Sequence, residues 1–348
     1  MVYTQVSSKK FPLYTFSGSN QEIAQQMSSV LKERIIATRG FYKFVFNKDE
    51  EDIFRYARYF QRAIKDFNRD YTIEIETLAE GIEIDPLWLY ALNSRSEIMN
   101  KFANECTSSY FSENKLLGQN WDWAKELEEL SYIAKLKQPD KPDILQIAEP
   151  GILGKIGFNS AGLGVTLNFL HLDGYDPKGV PIHVLLRGIL DCSTIDEAKK
   201  LVETHSIGRT ANLIVADRFG NYFDVEFAGD EQFFLDNTDA IFVHTNHYMG
   251  KKINTDKEEF ASSFARFERA SEIAKGLQPN ANLSEFKQML LDKSNFEFPI
   301  CRTYLKPKKS LLENSGTVCS LIMDLQKLQM HITRGNPYEY PFEKINLN

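Results

Sequence analysis

The spacing of apolar side chains predicts that the first hundred residues are mostly helical. Apolar positions there recur every three or four residues, as in helices with one buried face. A short alternating run at 11–17 predicts a first strand, and Ser19 is a candidate N-cap for the helix that follows. The predicted helices cover 21–36, 49–68, 72–80 and a segment that opens at Asp85-Pro86.

The pattern changes near residue 104, where short β-prone runs separated by turn residues begin to alternate with helices. Strands dominate 106–168 and return after two helices at 181–190 and 194–204. The later predicted elements are strands at 211–216, 222–227, 232–235 and 240–244, helices at 257–275 and 283–291, and final strands at 300–305, 316–324 and 328–333. This order suits two stacked sheets with helices outside, but the pattern alone establishes only an α+β fold.

One predicted β-hairpin places a cysteine opposite a polar segment. Its first strand is the β-prone run 109–111, the turn chemistry lies at 112–115, and the second strand covers 116–123. Antiparallel pairing would bring Cys106 close to the Asn-Trp-Asp segment at 120–122. A thiol beside an Asn and an Asp is a candidate nucleophile. Alternatively, a lone cysteine is commonly a small buried apolar residue.

Composition narrows the class of protein. The chain has 348 residues, of which 43% are hydrophobic and 26% charged, so it can form one large domain or two ordinary ones. The formal net charge of −7 argues against a nucleic-acid-binding protein, which normally carries a basic surface.

The sequence also bears on membrane insertion, on secretion and on the redox state of the cysteines. No apolar run approaches the roughly 20 residues that span a bilayer, and the first ten residues lack the apolar region of a signal peptide. The four cysteines show neither metal-ligand spacing nor a disulfide framework. We therefore expect a cytoplasmic protein with no metal, no cofactor and no membrane partner.

The segment Glu-Cys-Thr-Ser at 105–108, followed by Leu-Gly-Gln-Asn-Trp-Asp-Trp at 117–123, resembles the acyl-coenzyme A:6-aminopenicillanate acyltransferase family. These are self-processing cysteine hydrolases of the N-terminal-nucleophile class. The resemblance implies a four-layer αββα sandwich. It also implies that 1–105 is a mostly helical pro-segment or small chain, packed as one unit with a catalytic region at 106–348.

The resemblance further implies that the chain cuts its own Glu105–Cys106 bond. Cys106 would then gain a free α-amine, which can act as a base for its own thiol. The best-known members carry Gly before the cysteine, so Glu105 is a departure that is expected to slow or abolish the cut.

Three further residues take roles by resemblance. Asp122 would orient the Cys106 amine or the chain around it, although a turn or capping role is the alternative. Asn246 would donate a hydrogen bond to an oxyanion, or instead form an Asx turn. Arg302 would bind a carboxylate or anchor Asp122, with a surface ion pair as the alternative.

Aromatic side chains near Cys106 predict an apolar acyl pocket, although aromatic residues are also ordinary core. The candidates for substrate binding are Tyr110, Trp121 and Trp123. Arg95 and Asn168 could also line the site, but structural roles are favoured for both.

The sequence therefore predicts a cysteine amide hydrolase or acyltransferase that acts on a small-molecule amide or acyl donor, and it is compatible with a homo-oligomer. Two alternatives remain open. The first is a binding protein of the same fold that never frees its cysteine. The second is a conventional Cys–His hydrolase, for which the candidate histidines are those at 171, 183, 205, 244, 247 and 331.

Overall fold

The fold was analysed in a computed structural model of the chain. The structure describes residues 9–99, 106–170, 178–229, 231–250, 253, 255–304 and 315–348.

Ten helices lie in the described residues. Half of them belong to the first hundred residues, one short helix stands alone, and the other four lie in two pairs. In chain order they are α1 (Asn20–Phe46), α2 (Glu50–Phe67), α3 (Arg69–Ile82), α4 (Pro86–Asn93), α5 (Arg95–Ile98), α6 (Leu127–Leu130), α7 (Ile182–Leu190), α8 (Ile195–Thr204), α9 (Ala261–Gly276) and α10 (Leu283–Leu290).

The strands of the described residues form two sheets. An eight-stranded sheet has the order β1-β4-β5-β6-β7-β8-β9-β10, and a six-stranded sheet has the order β11-β2-β3-β12-β13-β14. The strands are β1 (Leu13–Ser17), β2 (Thr107–Phe111), β3 (Leu116–Ala124), β4 (Tyr132–Lys137), β5 (Ile144–Ala148), β6 (Gly157–Asn159), β7 (Gly164–Phe169), β8 (Ala211–Ala216), β9 (Tyr222–Ala228), β10 (Glu231–Phe234), β11 (Ile241–His244), β12 (Ser315–Asp324), β13 (Gln329–Ile332) and β14 (Glu343–Asn346).

The two sheets stack face to face, with helices on both outer sides. Gln119 of β3 joins the sheets, because its side chain donates to Leu167 O at 3.1 Å and accepts from Leu167 N at 2.8 Å. Asn120, the next residue, points to the other side and donates to Leu290 O at 2.9 Å, at the end of α10. Helices α1 and α7 pack on the eight-stranded sheet. The predicted α+β fold is confirmed, and its layers run helix, sheet, sheet, helix.

Local chemistry explains several element boundaries. Ser19 forms a capping box with Glu22 at the start of α1, as predicted. Asp85 caps α4, whose first position is Pro86. The helix α1 runs ten residues beyond its predicted end and buries Tyr42 and Phe46, which lie four residues apart on one face.

Some predictions about the last third of the chain are wrong. Residues 300–304 form no strand; their backbone makes isolated bonds instead, such as Cys301 N to Asp292 O at 3.0 Å. The short edge strand β14 was not predicted. Helix α9 begins at Ala261, four residues later than expected.

Among the described residues, no helix combines the length and the apolar character required to span a bilayer. The same part of the chain contains no cluster of three or more His, Cys, Asp or Glu side chains arranged around a metal ion.

Candidate active site

The predicted hairpin forms and positions Cys106 one residue before β2. The register pairs Thr107 with Asn120, so Cys106 lies beside the next residue of β3, Trp121. The backbone N–H of Asp122 lies near enough to the Cys106 sulfur to lower the pKa of the thiol. Local sequence therefore creates the contact between the thiol and the Asn-Trp-Asp segment.

Cys106 faces a small enclosed space that we call the nucleophile cavity. Its volume is about 20 Å³, which is room for roughly one water molecule. Cys106 itself is 6% exposed. The described residues that line the cavity are Arg95, Cys106, Trp121, Asp122, Trp123, Lys155, Ile156, Leu167, Phe169 and Asn246.

A buried arginine ties the cysteine to the predicted oxyanion donor. Arg266 of α9 donates to Cys106 O at 2.6 Å, to Thr107 Oγ1 at 3.0 Å and to Asn246 Oδ1 at 2.8 Å. Asn246 Nδ2 in turn donates to Phe169 O at 2.9 Å. An amide carries two N–H donors, so this bond leaves the second one for a ligand. Arg266 thus fixes both the cysteine backbone and the amide orientation.

The opposite wall of the nucleophile cavity is formed by buried charges. Glu149 Oε1 accepts from both Arg95 Nη2 and Lys155 Nζ, each at 2.6 Å, and Glu149 Oε2 accepts from the Tyr42 hydroxyl. Lys155 Nζ also lies 3.7 Å from the centre of the Trp121 ring. Burial raises the pKa of Glu149, but the two cations outweigh this effect and hold the pKa far below its usual range. Burial lowers the pKa of Lys155 to about 8, despite the neighbouring carboxylate.

The Cys106 thiol is difficult to ionise in the uncut chain. Burial has the largest effect on its pKa and raises it, as does the carboxylate of Asp122. The backbone N–H of Asp122 and the cations Arg266 and Lys155 act in the opposite direction. The resulting pKa is about 12. At neutral pH the uncut chain therefore holds a thiol, not a thiolate.

The structure brings most of the predicted site residues to this cavity, but not all of them. Trp121, Trp123, Asp122 and Asn246 line it, whereas Tyr110 does not. Tyr110 lies four residues along β2 in an aromatic cluster, with its ring centre 5.3 Å from that of Tyr222. Its prediction as a substrate-binding residue receives no support from this position.

Two other predicted residues lie outside the cavity lining. Arg302 Nη1 donates to Ser262 Oγ at 3.3 Å, near the start of α9, and its catalytic role stays a prediction. Asn168 accepts from Ser108 Oγ at 2.8 Å. Glu105 lies outside the described residues.

The alternative Cys–His scheme gains no support from the described histidines. None of them lines the nucleophile cavity. The nearest to its charged wall is His183, whose ring nitrogens face Gly154 O at 3.0 Å and Ser96 Oγ at 3.3 Å. His171 lies outside the described residues.

Sequence reasoning missed two residues of the site, Arg266 and Lys155. Arg266 shares a helical face with Ser263 and Ala270, both buried, so its spacing places a cation in the core. Lys155 stands alone in the otherwise apolar or small run 151–158. An isolated cation in an apolar stretch is rarely buried without a partner, and this pattern was available before the structure.

Comparison with known proteins places the chain in a family. A sequence profile described as acyl-coenzyme A:6-aminopenicillanic acid acyl-transferase matches residues 111–339, more than half of the chain. The chain belongs to this family. It is therefore an acyl-transferring or acyl-hydrolysing enzyme. The family predicted from the residues around Cys106 is confirmed.

One relative and one solved structure illustrate the family's sequence and fold. The chain is 28% identical over 338 residues to the acyl-coenzyme A:6-aminopenicillanic-acid-acyltransferase 40 kDa form of Emericella nidulans, covering 93% of this chain and 92% of the relative. Its fold is similar to that of a single-residue variant of conjugated bile acid hydrolase from Clostridium perfringens, with a TM-score of 0.51 and 14% identity. That match covers 70% of this chain and 92% of the other. This likeness agrees with the predicted four-layer sandwich.

Proposed function

We propose that this enzyme cleaves or transfers the acyl group of an N-acyl amine or small amide through a thioester on Cys106. The observation that carries the proposal is the position of the Cys106 sulfur. It lies beside the Asp122 backbone N–H and shares one cavity with Asn246, whose orientation Arg266 fixes.

The first step would be cleavage of the chain itself. The Cys106 sulfur attacks the carbonyl carbon of Glu105 and displaces the Cys106 nitrogen, which takes up a proton. Water then hydrolyses the thioester, giving a Glu105 carboxylate and a Cys106 with a free α-amine. This amine has an ordinary pKa of about 8 and lies beside the thiol, so it can accept the thiol proton at neutral pH.

Turnover would repeat the same chemistry on an external acyl group. The sulfur attacks the acyl carbonyl, the leaving amine takes a proton from the α-ammonium, and a thioester remains. Water or an amine then attacks this thioester, which gives hydrolysis or acyl transfer. The second N–H of Asn246 is the proposed donor to the carbonyl oxygen as it becomes negative. Asp122 is proposed to orient the α-amine, and Trp121 and Trp123 to contact the acyl chain.

The two pieces of a cut chain are proposed to remain one unit. The strand β1 belongs to the N-terminal piece, yet it pairs in parallel with β4 of the catalytic region, with Leu13 opposite Ile133. Helix α1 also contributes to the buried core that covers the eight-stranded sheet.

The test combines mutation with mass measurement. Cys106→Ala is expected to abolish turnover and to leave a chain of full length. Cys192→Ala is the matched control, because Cys192 is half-buried, bonds Gly188 O at 3.2 Å and lies outside the nucleophile cavity. The substrate panel should include N-acyl amines, an acyl-coenzyme A donor and 6-aminopenicillanic acid as acceptor, following the name of the Emericella relative.

Retained turnover in Cys106→Ala would end the proposal. A wild-type chain that stays at full length, does not turn over any substrate and leaves Cys106 unacylated would instead favour the uncut binding protein.

A further inference from the structure

Two buried cations, Arg95 and Lys155, share one buried carboxylate beside the nucleophile cavity. Glu149 is fully buried and has Arg95 as one ion-pair partner at 2.6 Å. Lys155 is a second cation on the same Glu149 oxygen, also at 2.6 Å, and it is 2% exposed. Nearby His183 is neutral at physiological pH, because burial and the two cations lower its pKa well below the ordinary value. Arg95, Lys155 and Glu149 together therefore carry one excess positive charge.

The excess charge faces Cys106. Lys155 packs on the ring of Trp121, and Trp121 is the residue of β3 beside Cys106. Both Lys155 and Cys106 line the nucleophile cavity, and each affects the ionisation of the other.

Two other charged side chains, Asp122 and Arg266, act on the sulfur. Asp122 and Arg266 are one anion and one cation, and Arg266 directs its donors to Cys106 O, Thr107 Oγ1 and Asn246 Oδ1. Lys155 differs from them, because its ammonium has three N–H donors and the bond to Glu149 uses one.

We propose that Lys155, held in place by Glu149, is the cation that stabilises Cys106 as a thiolate during catalysis. This inference rests on the proposed function. The sulfur loses its proton to the α-amine of Cys106, while Lys155 keeps its own proton and offsets the negative charge on sulfur. Lys155 is a positioning residue that acts through Cys106.

The test measures how fast iodoacetamide alkylates Cys106, read from the mass of the peptide that carries it, at a fixed pH near 7, below the pKa of about 8 at which Lys155 loses its proton. Lys155→Gln keeps an N–H donor for Glu149 but removes the charge. If this change raises the thiol pKa by about one unit, alkylation below that pKa slows about tenfold. Lys155→Arg keeps the charge and is expected to restore most of the rate.

The matched control is Lys141→Gln. Lys141 also pairs with a carboxylate, Asp191, at 2.9 Å, but its side chain is 26% exposed and lies outside the nucleophile cavity. Its alkylation rate is expected to equal that of the wild type. Should Lys155→Gln fail to fold, Lys155→Met carries the same expectation, because its thioether can pack on Trp121 without a charge.

A loss of packing alone would open the cavity and speed up alkylation, so the direction of the change separates charge from structure. An alkylation rate in Lys155→Gln equal to or above that of the wild type overturns the inference. If Cys106→Ala abolishes turnover in that case, the proposed function still stands. If Cys106→Ala retains turnover while alkylation depends on Lys155, the proposed function fails and the charge pairing remains.

Discussion

Replacing Arg266 by Met is the sharpest test of how the site is held together. The change removes at least four hydrogen bonds from a fully buried guanidinium, to Cys106 O, Thr107 Oγ1, Asn246 Oδ1 and Ser262 Oγ. Each buried acceptor left without a donor costs about 1–3 kcal/mol. Because Met fills a similar volume, we expect the free energy of unfolding to fall by roughly 4 kcal/mol, within the range for broken buried charge pairs.

Arg269→Met is the matched control, one turn later on the same helix. Arg269 is 31% exposed and pairs with Asp292 at 2.8 Å, so its loss should reduce the free energy of unfolding by about 1 kcal/mol or less. Guanidinium denaturation of both variants gives the comparison.

Activity provides a second measurement on the same pair. Without Arg266, the Asn246 amide is no longer held toward the cavity, and we expect turnover to fall by about 10²–10³-fold, as when an oxyanion donor is lost. Arg269→Met should keep wild-type turnover. Equal stabilities for the two variants, or full activity in Arg266→Met, would refute the role given to this guanidinium.

Two further predictions concern stability. Burial raises the pKa of Asp224 to about 6 against an ordinary 3.8, so the folded protein binds a proton there more tightly than the unfolded chain does. The stability of the fold is therefore undiminished below pH 4 and falls as the pH rises through 6. Asp224→Asn should therefore be more stable than the wild type at pH 8, by up to about 3 kcal/mol, with no gain at pH 4. Thermal unfolding measured across this pH range checks the prediction. The control Asp236→Asn, at an exposed position, should show no such dependence on pH. Gly154→Ala would place a Cβ 2.4 Å from Arg187 N, so we expect a loss of about 3 kcal/mol, whereas Gly276→Ala, with nothing within 4 Å, should be neutral in the same denaturation assay.

The sequence predicted correctly those parts of the site that depend on contacts between residues close together in the chain. The hairpin that carries Cys106 needs only two β-prone runs and a turn, and its register then fixes the approach of Asp122 to the sulfur. Helix α1 was underestimated because Thr38 and Gly40 are weak helix formers, and the buried pair Tyr42 and Phe46 overrides them.

Distant contacts were beyond sequence reasoning. Arg266 reaches Cys106 O across 160 positions, and no spacing rule relates the two. Tyr110 does not line the nucleophile cavity, because four residues of strand extend about 13 Å and closeness in sequence did not mean closeness to the sulfur. Among the residues predicted as a strand at 300–305, the described ones form none. Ile300 and Cys301 are buried, but they lie in a bend that pairs with no strand.

The pairing of β1 with β4 changes how a cut molecule would respond to dilution. In the intact chain, the two strands are covalently connected and unfolding is a unimolecular reaction. After the proposed cleavage, unfolding also releases two separate polypeptides, so mass action favours dissociation at low protein concentration. The melting temperature of the mature enzyme would then rise with its concentration, while that of an uncleavable Cys106→Ala precursor would stay constant.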